Sequence, residues 1–206
     1  GGSAATAVAI IRSVSKHFNL MLTDDEVNHY AFLCEKAAHG TPSGIDNTIA
    51  TFGLPLVYQA SEESKMAMID FPKPLNLVIG ISGQPSLTLD MVSGVRERWE
   101  KNTKLYESMF TNFAQIAESG LEALKNGDYK GLGHIMTMNH GLLSAIQVSS
   151  PALDRMVQIS MDHGALGAKL TGAGGGGSII SLCDDNSENI IKGLTRHGFR
   201  ALQVSV

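Results

Sequence analysis

The sequence predicts a mixed α+β protein, on three observations. Apolar residues recur at helical spacing over much of the chain, and short apolar runs of strand length interrupt these patterns. The C-terminal part alternates between strand, glycine-loop, strand, helix and strand signals. Pro72-Lys73-Pro74 divides the chain, because prolines are excluded from central strands. We therefore predict two domains, residues 1–72 and 73–206.

The first domain is predicted to begin with two helices. Ser3 is the expected N-cap of the first helix. The apolar face of this helix would consist of Ala7, Ile11, Val14 and Phe18. The second helix begins at a capping box formed by Thr23 and Glu26. Its buried stripe would consist of Val27, Ala31, Cys34 and Ala38.

A short third helix and two strands complete the predicted first domain. The helix has Ser43 as its N-cap, and it stops at Gly53, where glycine can adopt the left-handed conformation. The strands are expected at residues 55–58 and 66–71.

The second domain is predicted to alternate between strands and helices. A buried strand at residues 75–81 precedes a long helical pattern with a break near Asn102. Two more helices follow, one capped by Asp128 and one begun by Pro151. The tail is predicted as strand 165–170, glycine loop 171–177, strand 178–183, helix 187–196 and strand 199–206.

Composition restricts the classes of function. The chain has 206 residues, of which 43% are hydrophobic and 17% charged, so a buried core is expected. The formal net charge is -4, which argues against a nucleic-acid surface. No apolar run approaches the roughly 18 residues of a membrane span. Cys34 and Cys183 lack the spacing of a metal pair or disulfide framework, so a cytoplasmic protein is predicted.

The first stretch that can carry chemistry is Gly1-Gly2-Ser3-Ala4-Ala5, directly before a helix. Small residues let the backbone approach a ligand, and the N–H groups of the first helical turn are donors without helical partners. Together with the helix dipole they form an anion site suited to phosphate. Taken alone, these residues are better explained by ordinary helix capping or by a cloning remnant.

The second stretch runs from Glu35 to Asn47 and contains two carboxylates around a rigid turn. Glu35 lies near the end of one predicted helix, and Asp46 lies in the first turn of the next, where the helix dipole stabilises a negative charge. Such carboxylates can hold Mg²⁺ or accept a hydroxyl proton. The alternative is a solvated helix end and a capping carboxylate.

The third stretch is the glycine-rich run from Lys169 to Ser178. Glycine is entropically costly to order, so this density between two apolar strands indicates a backbone that wraps a ligand. Gly172, Gly174 and Gly177 also give a GxGxxG spacing. A dinucleotide fold would need a helix after the loop and an acidic residue about 20 positions later, and neither is predicted.

Other candidate residues have simpler interpretations. His134, His140 and His163 lie on helical patterns without metal-ligand spacing, and we interpret them as structural. The nine methionines are interpreted as core fillers.

Taken in order, the three stretches resemble the signature motifs of the GHMP kinase superfamily. The first family motif ends Gly-Leu-Gly-Ser-Ser-Ala-Ala, and Gly2 stands here in place of the first serine. His39-Gly-Thr-Pro-Ser-Gly-Ile-Asp-Asn47 and Lys169-Leu-Thr-Gly-Ala-Gly-Gly-Gly-Gly177 resemble most closely the mevalonate kinase branch. The resemblance implies a two-domain GHMP kinase fold whose first domain is truncated and whose second domain is ferredoxin-like with added helices.

The resemblance also implies a reaction and residue roles. The reaction is phosphorylation of the primary hydroxyl of mevalonate, with ATP as co-substrate and Mg²⁺ as cofactor. Asp46 resembles the catalytic aspartate, and Ser3 and Glu35 resemble the pair that holds Mg²⁺. The residues expected at the ATP phosphates are Gly1, Gly2, Ser3 and Ala4. Those expected at the substrate and phosphate loop are Gly172, Ala173, Gly174, Gly175 and Thr88, with Leu89 in place of a family lysine.

GHMP kinases have substantial sequence before the first motif, so the isolated chain is expected to be inactive. Either the chain is then a truncated or proteolytic product, or the missing segment is a separate piece, and a homodimer is a further option for the assembly. The expected partner is a small molecule, with neither nucleic acid nor membrane. Three alternatives stay open: another GHMP kinase acting on phosphomevalonate, homoserine or a sugar, a non-catalytic metabolite-binding relative, and a nicotinamide dehydrogenase suggested only by the GxGxxG spacing.

Overall fold

The computed structural model describes residues 1–39, 42–59, 65–70, 72–86 and 88–206, with side chains for all of these except residues 39, 65, 66, 88 and 89. The chain divides into two compact units, Gly1–Asp70 and Phe71–Val206, and each is described by itself. The predicted functional domains, 1–72 and 73–206, stay a prediction. None of the helices in the described ranges combines the length and apolar content needed to cross a bilayer.

The first unit consists of three helices and a two-stranded hairpin. Its elements are α1 (Gly2–His17), α2 (Asp24–His39), α3 (Ile45–Phe52), β1 (Leu56–Gln59) and β2 (Lys65–Met68). The strands β1 and β2 pair antiparallel. Val8 of α1 and Val27 and Ala31 of α2 form the buried centre of this unit, so the two helices hold each other by apolar packing.

The capping box at the start of α2 is confirmed. The Thr23 N–H donates to Glu26 Oε2 at 2.8 Å, and the Glu26 N–H donates to Thr23 Oγ1 at 3.3 Å. The Thr23 N–H and, to a smaller extent, the Thr23 hydroxyl donate to the Glu26 carboxylate and so lower its pKa. The pair therefore satisfies donors that the first turn of α2 would otherwise leave without partners.

Two predicted N-caps in the first unit are wrong. Helix α1 already begins at Gly2, so its N-cap is Gly1 and Ser3 lies inside the first turn. Helix α3 has Gly44 as its N-cap, with φ +83°, a conformation that glycine adopts without strain. The Ser43 hydroxyl instead accepts the Ile45 N–H at 3.3 Å, a local turn contact.

The predicted buried faces of α1 and α2 need a similar correction. In α2 the buried stripe continues from Val27 and Ala31 to Glu35, while Cys34 and Ala38 are exposed. A straight i, i+4 row explains this choice, since Cys34 lies to one side of it. In α1, Val14 and Phe18 are 44% and 65% exposed, and the helix buries Ala4, Val8 and Ser15 instead.

The second unit is built on a four-stranded antiparallel sheet. Its elements are β3 (Asn76–Ile81), α4 (Thr88–Lys101), α5 (Thr103–Lys125), α6 (Tyr129–Ala145), α7 (Pro151–Asp162), β4 (Gly167–Thr171), β5 (Ser178–Cys183), α8 (Ser187–Arg196) and β6 (Arg200–Ser205). The strand order is β4-β5-β3-β6, with every neighbouring pair antiparallel. This β-α-β-β-α-β arrangement, with helices added after β3, confirms the predicted ferredoxin-like second domain.

Helices α7 and α8 cover one face of this sheet. The fully buried side chains at their contact are Leu153 and Met156 of α7, Leu170 of β4, Ile179 of β5, and Ile190 and Leu194 of α8. Each such side chain contributes roughly 1.5–3 kcal/mol on burial, so this layer is a large source of stability for the unit. The predicted break near Asn102 is also confirmed, because Asn102 separates α4 from α5. Strand β2 begins one residue earlier than predicted and ends at Met68.

Helix α6 approaches strand β4 so closely that only glycine fits at the contact. A Cβ on Gly133 would lie 2.3 Å from the Leu166 carbonyl oxygen, and a Cβ on Gly167 would lie 1.8 Å from the Gly133 carbonyl oxygen. Both distances are far inside van der Waals contact with backbone atoms, which cannot rotate away. These two glycines therefore set the spacing between α6 and β4.

We expect Gly133→Ala to lower the free energy of unfolding by about 1–3 kcal/mol, because the new methyl group overpacks the contact. This loss should appear even though alanine is the better helix former by about 1 kcal/mol. Gly141→Ala on the same helix is the matched control, since a Cβ there meets nothing within 4 Å. Urea unfolding should show the control unchanged or stabilised, and equal stability of the two variants would contradict the close approach.

Candidate functional site

The beginning of α1 and the carboxylate of Asp46 lie together in the first unit. Asp46 Oδ2 is 3.4 Å from the backbone nitrogen of Gly1, and a Cβ on Gly1 would lie 3.7 Å from Asp46 Cγ. The side chain of Asp46 is 59% exposed, so a ligand can reach it. The first-turn N–H groups of α1 point toward the same end of the helix, where its dipole is positive. This corner can bind an anion next to a carboxylate.

An amide network between α2 and α3 orients Asp46. The Asn47 Nδ2 donates to Asn28 Oδ1 at 2.6 Å, and Asn47 is only 3% exposed. The Thr48 hydroxyl donates to the Gly44 carbonyl at 2.7 Å. Because Asn47 faces inward, its neighbour Asp46 must face outward, one residue round the helix. The buried amide pair thus fixes the direction of the carboxylate.

Arg12 joins the three helices at the opposite end of this unit. Its Nη2 donates to Asp24 Oδ1 at 2.8 Å and to the Thr51 carbonyl at 2.9 Å. Residues 18–23 form a short connection, so α2 runs back along α1 from this contact.

Antiparallel packing of α1 and α2 predicts that Glu35 lies near the start of α1. Glu35 lies about three helical turns beyond Asp24, and α1 begins about three turns before Arg12. We infer that Glu35 is level with the first turn of α1, where Ser3 lies. Glu35 is 6% exposed, and within the described ranges its carboxylate accepts no hydrogen bond and forms no ion pair.

The glycine loop of the second unit joins β4 to β5. Four of its glycines, Gly172, Gly174, Gly175 and Gly177, have φ between +72° and +87°, a region that side-chain-bearing residues rarely adopt. The loop is followed by strand β5 and not by a helix. The GxGxxG spacing is therefore not part of a dinucleotide-binding unit.

Three neighbours hold this loop in place. The Gly175 N–H donates to the Val148 carbonyl at 2.8 Å, and the Gly177 N–H donates to the Gln84 carbonyl at 2.9 Å. The Ser86 hydroxyl donates to the Gly174 carbonyl at 2.7 Å. The loop is therefore held on both sides, by the segment after β3 and by the segment after α6.

Part of the loop backbone keeps its donors available. The N–H groups of Gly172, Ala173 and Gly174 donate no hydrogen bond to any other residue in the described ranges. Consecutive N–H groups in a loop of left-handed residues form a concave anion site. This geometry suits phosphate or carboxylate oxygens.

The outcome for the sequence-predicted site residues is mixed. Gly1 and Asp46 come together in the first unit, and Gly172 to Gly175 form a continuous backbone loop in the second. Thr88 is the first residue of α4, and its side chain lies outside the described part. The sequence analysis assigned no role to Asn28, Arg12 or Ser86. For Asn28 and Arg12, the available signal was a polar residue on a helix face that is expected to pack against a neighbouring element.

Comparison with known families identifies the class of protein. The model of the GHMP kinases N terminal domain matches residues 1–53, and the model of the GHMP kinases C terminal region matches residues 121–200. The chain belongs to the GHMP kinase family.

Several of its similar proteins within that family are mevalonate kinases. The mevalonate kinase of Thermococcus sibiricus is 35% identical over 195 residues, which are 92% of this chain and 57% of the relative. A crystal structure of L. major mevalonate kinase in complex with R-mevalonate has a TM-score of 0.92 at 36% identity, covering 99% of this chain and 64% of that one. The Methanococcus jannaschii mevalonate kinase has a TM-score of 0.80 at 28% identity, covering 95% and 60%. The chain therefore spans roughly three fifths of the length of these proteins.

Proposed function

We propose that the protein transfers the γ-phosphate of ATP to the primary hydroxyl of mevalonate. The observation that carries this proposal is the Asp46 carboxylate at the N-terminus of α1, 3.4 Å from the Gly1 nitrogen. Phosphoryl transfer needs positioned donors for the phosphate oxygens and an acceptor for the hydroxyl proton. Support for the substrate comes from the similarity to mevalonate kinases.

In this mechanism different parts of the chain bind the phosphate, accept the hydroxyl proton and bind the substrates. The N–H groups of the first turn of α1 bind phosphate oxygens, and the helix dipole stabilises their charge. Asp46 accepts the proton of the attacking hydroxyl as that oxygen bonds to the γ-phosphorus and the bond to the leaving ADP oxygen breaks. The glycine loop binds anionic oxygens of the substrates through the free N–H groups of Gly172, Ala173 and Gly174.

The residues also fit the Mg²⁺ that kinases of this type use. Glu35 offers a carboxylate that makes no hydrogen bond or ion pair within the described ranges, and the Ser3 hydroxyl lies in the first turn of α1. Within the described ranges no group of three or more His, Cys, Asp or Glu could hold a metal. Mg²⁺ is usually held by one or two protein oxygens together with phosphates and water. When bound, Mg²⁺ would neutralise charge on the phosphates.

A coupled assay that follows ADP release tests the proposal on an active preparation of the protein. Mevalonate, phosphomevalonate, homoserine and galactose should be compared at equal concentration with MgATP. We expect turnover with mevalonate to exceed that with the other acceptors by at least about tenfold, since a site built for one hydroxyl acid loses paired contacts with another. Preference for another acceptor would indicate a different GHMP kinase, and binding without turnover would indicate a non-catalytic relative.

The remaining expectations stay predictions. They are the inactivity of the isolated chain, a separate piece that supplies the missing segment, a homodimer, the absence of nucleic-acid partners, and the cytoplasmic location.

A further inference from the structure

Strand β4, which leads into the glycine loop, lies at the edge of the four-stranded sheet and pairs with β5 alone among the described strands. An edge strand leaves N–H groups without strand partners on its outer side. One of these, the Leu170 N–H, donates to Nδ1 of His140 at 3.3 Å. His140 lies on α6 and is 8% exposed. A buried imidazole thus takes the place of a neighbouring strand just before the loop begins.

The contacts of His140 determine where its hydrogen lies. Because Nδ1 accepts a hydrogen bond, the hydrogen of the neutral ring must be on Nε2. That nitrogen is 3.2 Å from Asp154 Oδ1, which can accept it. Asp154 in turn accepts from the Ser149 hydroxyl at 2.5 Å. The carboxylate therefore selects the ring tautomer that keeps Nδ1 available for Leu170.

Burial favours the neutral form of His140, and the two charged neighbours act in opposite directions. Asp154 faces it from α7 and Lys169 from β4, and α5 provides no hydrogen bond or ion pair to it within the described ranges. Burial is the main cause that lowers the pKa of His140, the Asp154 carboxylate acts in the opposite direction, and the charge of Lys169 adds to the lowering. The ring is therefore neutral at pH values near 7.

We propose that His140 is a positioning residue for the glycine loop: oriented by Asp154, it holds the Leu170 amide and so fixes the end of β4 from which residues 172–177 depart. Helix α6 also leads to a second contact with the loop, because the segment that follows it provides the Val148 carbonyl, which accepts the Gly175 N–H. The identity of the ligand that the loop binds depends on the proposed function. The positioning of the loop by His140 does not depend on it.

Protonation of His140 would remove this support. An imidazolium carries hydrogen on Nδ1 as well, so two donors would face each other at Leu170. Because the folded-state pKa is lowered, the hydrogen bond is complete above the ordinary histidine pKa of about 6.5. As the pH falls below that value the unfolded state takes up the proton first, and stability declines until the folded-state pKa has been passed.

Two substitutions separate the contacts of His140. His140→Asn places an amide oxygen where Nδ1 lies, so it can still accept from Leu170, but it does not titrate. His140→Gln places its polar group where Nε2 lies, so it keeps the contact with Asp154 and loses the one with Leu170. Amide hydrogen exchange of Leu170, Gly175 and Gly177 should be measured by NMR on the 206-residue chain. We expect about tenfold faster exchange in the Gln variant at pH 7.5, the effect of one lost hydrogen bond, and wild-type protection in the Asn variant.

The pH dependence gives an independent measurement. In the wild type the protection of Leu170 should fall as His140 takes up a proton, whereas the Asn variant should show no such step. Asp154→Asn removes the carboxylate that favours the imidazolium, so it should move the step to lower pH. Equal exchange in all variants, or a step that persists in His140→Asn, would overturn the proposal. If these results hold while the whole protein phosphorylates neither mevalonate nor another small alcohol, the proposed function fails and the positioning role stands.

Discussion

Asp46→Asn is expected to lower kcat by about 10²–10⁴-fold, the range that a positioned general base contributes. Asparagine keeps the size and the first-turn position of the side chain but cannot accept the hydroxyl proton. The N–H groups of α1 are unchanged, so the Kd of MgATP should change by no more than a few-fold. Steady-state kinetics on an active preparation, together with calorimetric titration of MgATP, measures the two effects separately.

Asp25→Asn is the matched control for this prediction. Asp25 is exposed and also lies in the first turn of a helix of the first unit, but it belongs to α2. It removes the same charge from an equivalent helical position, so a long-range electrostatic effect would appear in both variants. Similar losses of kcat in the two variants, or full turnover in Asp46→Asn, would remove Asp46 from the chemistry.

Gly174→Ala should have the largest effect in the glycine loop. A Cβ at this position would lie 1.9 Å from the Val148 carbonyl oxygen, which accepts the Gly175 N–H. The backbone also has φ +87°, a conformation that costs a non-glycine residue about 1–2 kcal/mol. The loop must therefore shift, and we expect kcat/KM to fall at least about 100-fold, because displaced donors no longer fit the phosphate oxygens.

Gly172→Ala isolates the cause of that loss. Its φ of +81° imposes the same backbone strain, but a Cβ there meets nothing within 4 Å. Thermal unfolding and kcat/KM should both be affected less than in Gly174→Ala. If the two variants behave alike, strain alone explains the effect and the contact with Val148 is not important.

Local signals predicted much of the fold and part of the candidate site. The capping box at Thr23, the break at Asn102 and the glycine loop all depend on neighbouring residues in the sequence, and all are present in the structure. The N-caps at Ser3 and Ser43 failed because the helices begin after Gly1 and Gly44, neither of which has a side chain that could cap, and Gly44 has a φ of +83° that favours glycine.

The orientation of helix faces was harder to predict, because it depends on partners that are distant in sequence. Glu35 is buried in a row with Val27 and Ala31, although side-chain hydrophobicity alone favours burial of Cys34. The contact of Asn47 with Asn28 and the contact of His140 with Leu170 join residues on different elements. Tertiary packing decides such contacts, and periodicity within one helix does not contain that information.

The strand order of the second unit has a consequence for how the chain acquires its structure. Strand β3, the first of this sheet to be synthesised, lies between β5 and β6, and Asn76 pairs with Cys183 and Ser205. Both edges of β3 therefore stay unpaired until segments more than 100 residues later in the chain have been synthesised. Contacts of such large sequence separation form slowly and expose apolar edges meanwhile. Translation must pass β6 before this unit can close, and a nascent chain arrested earlier is a natural client for chaperones.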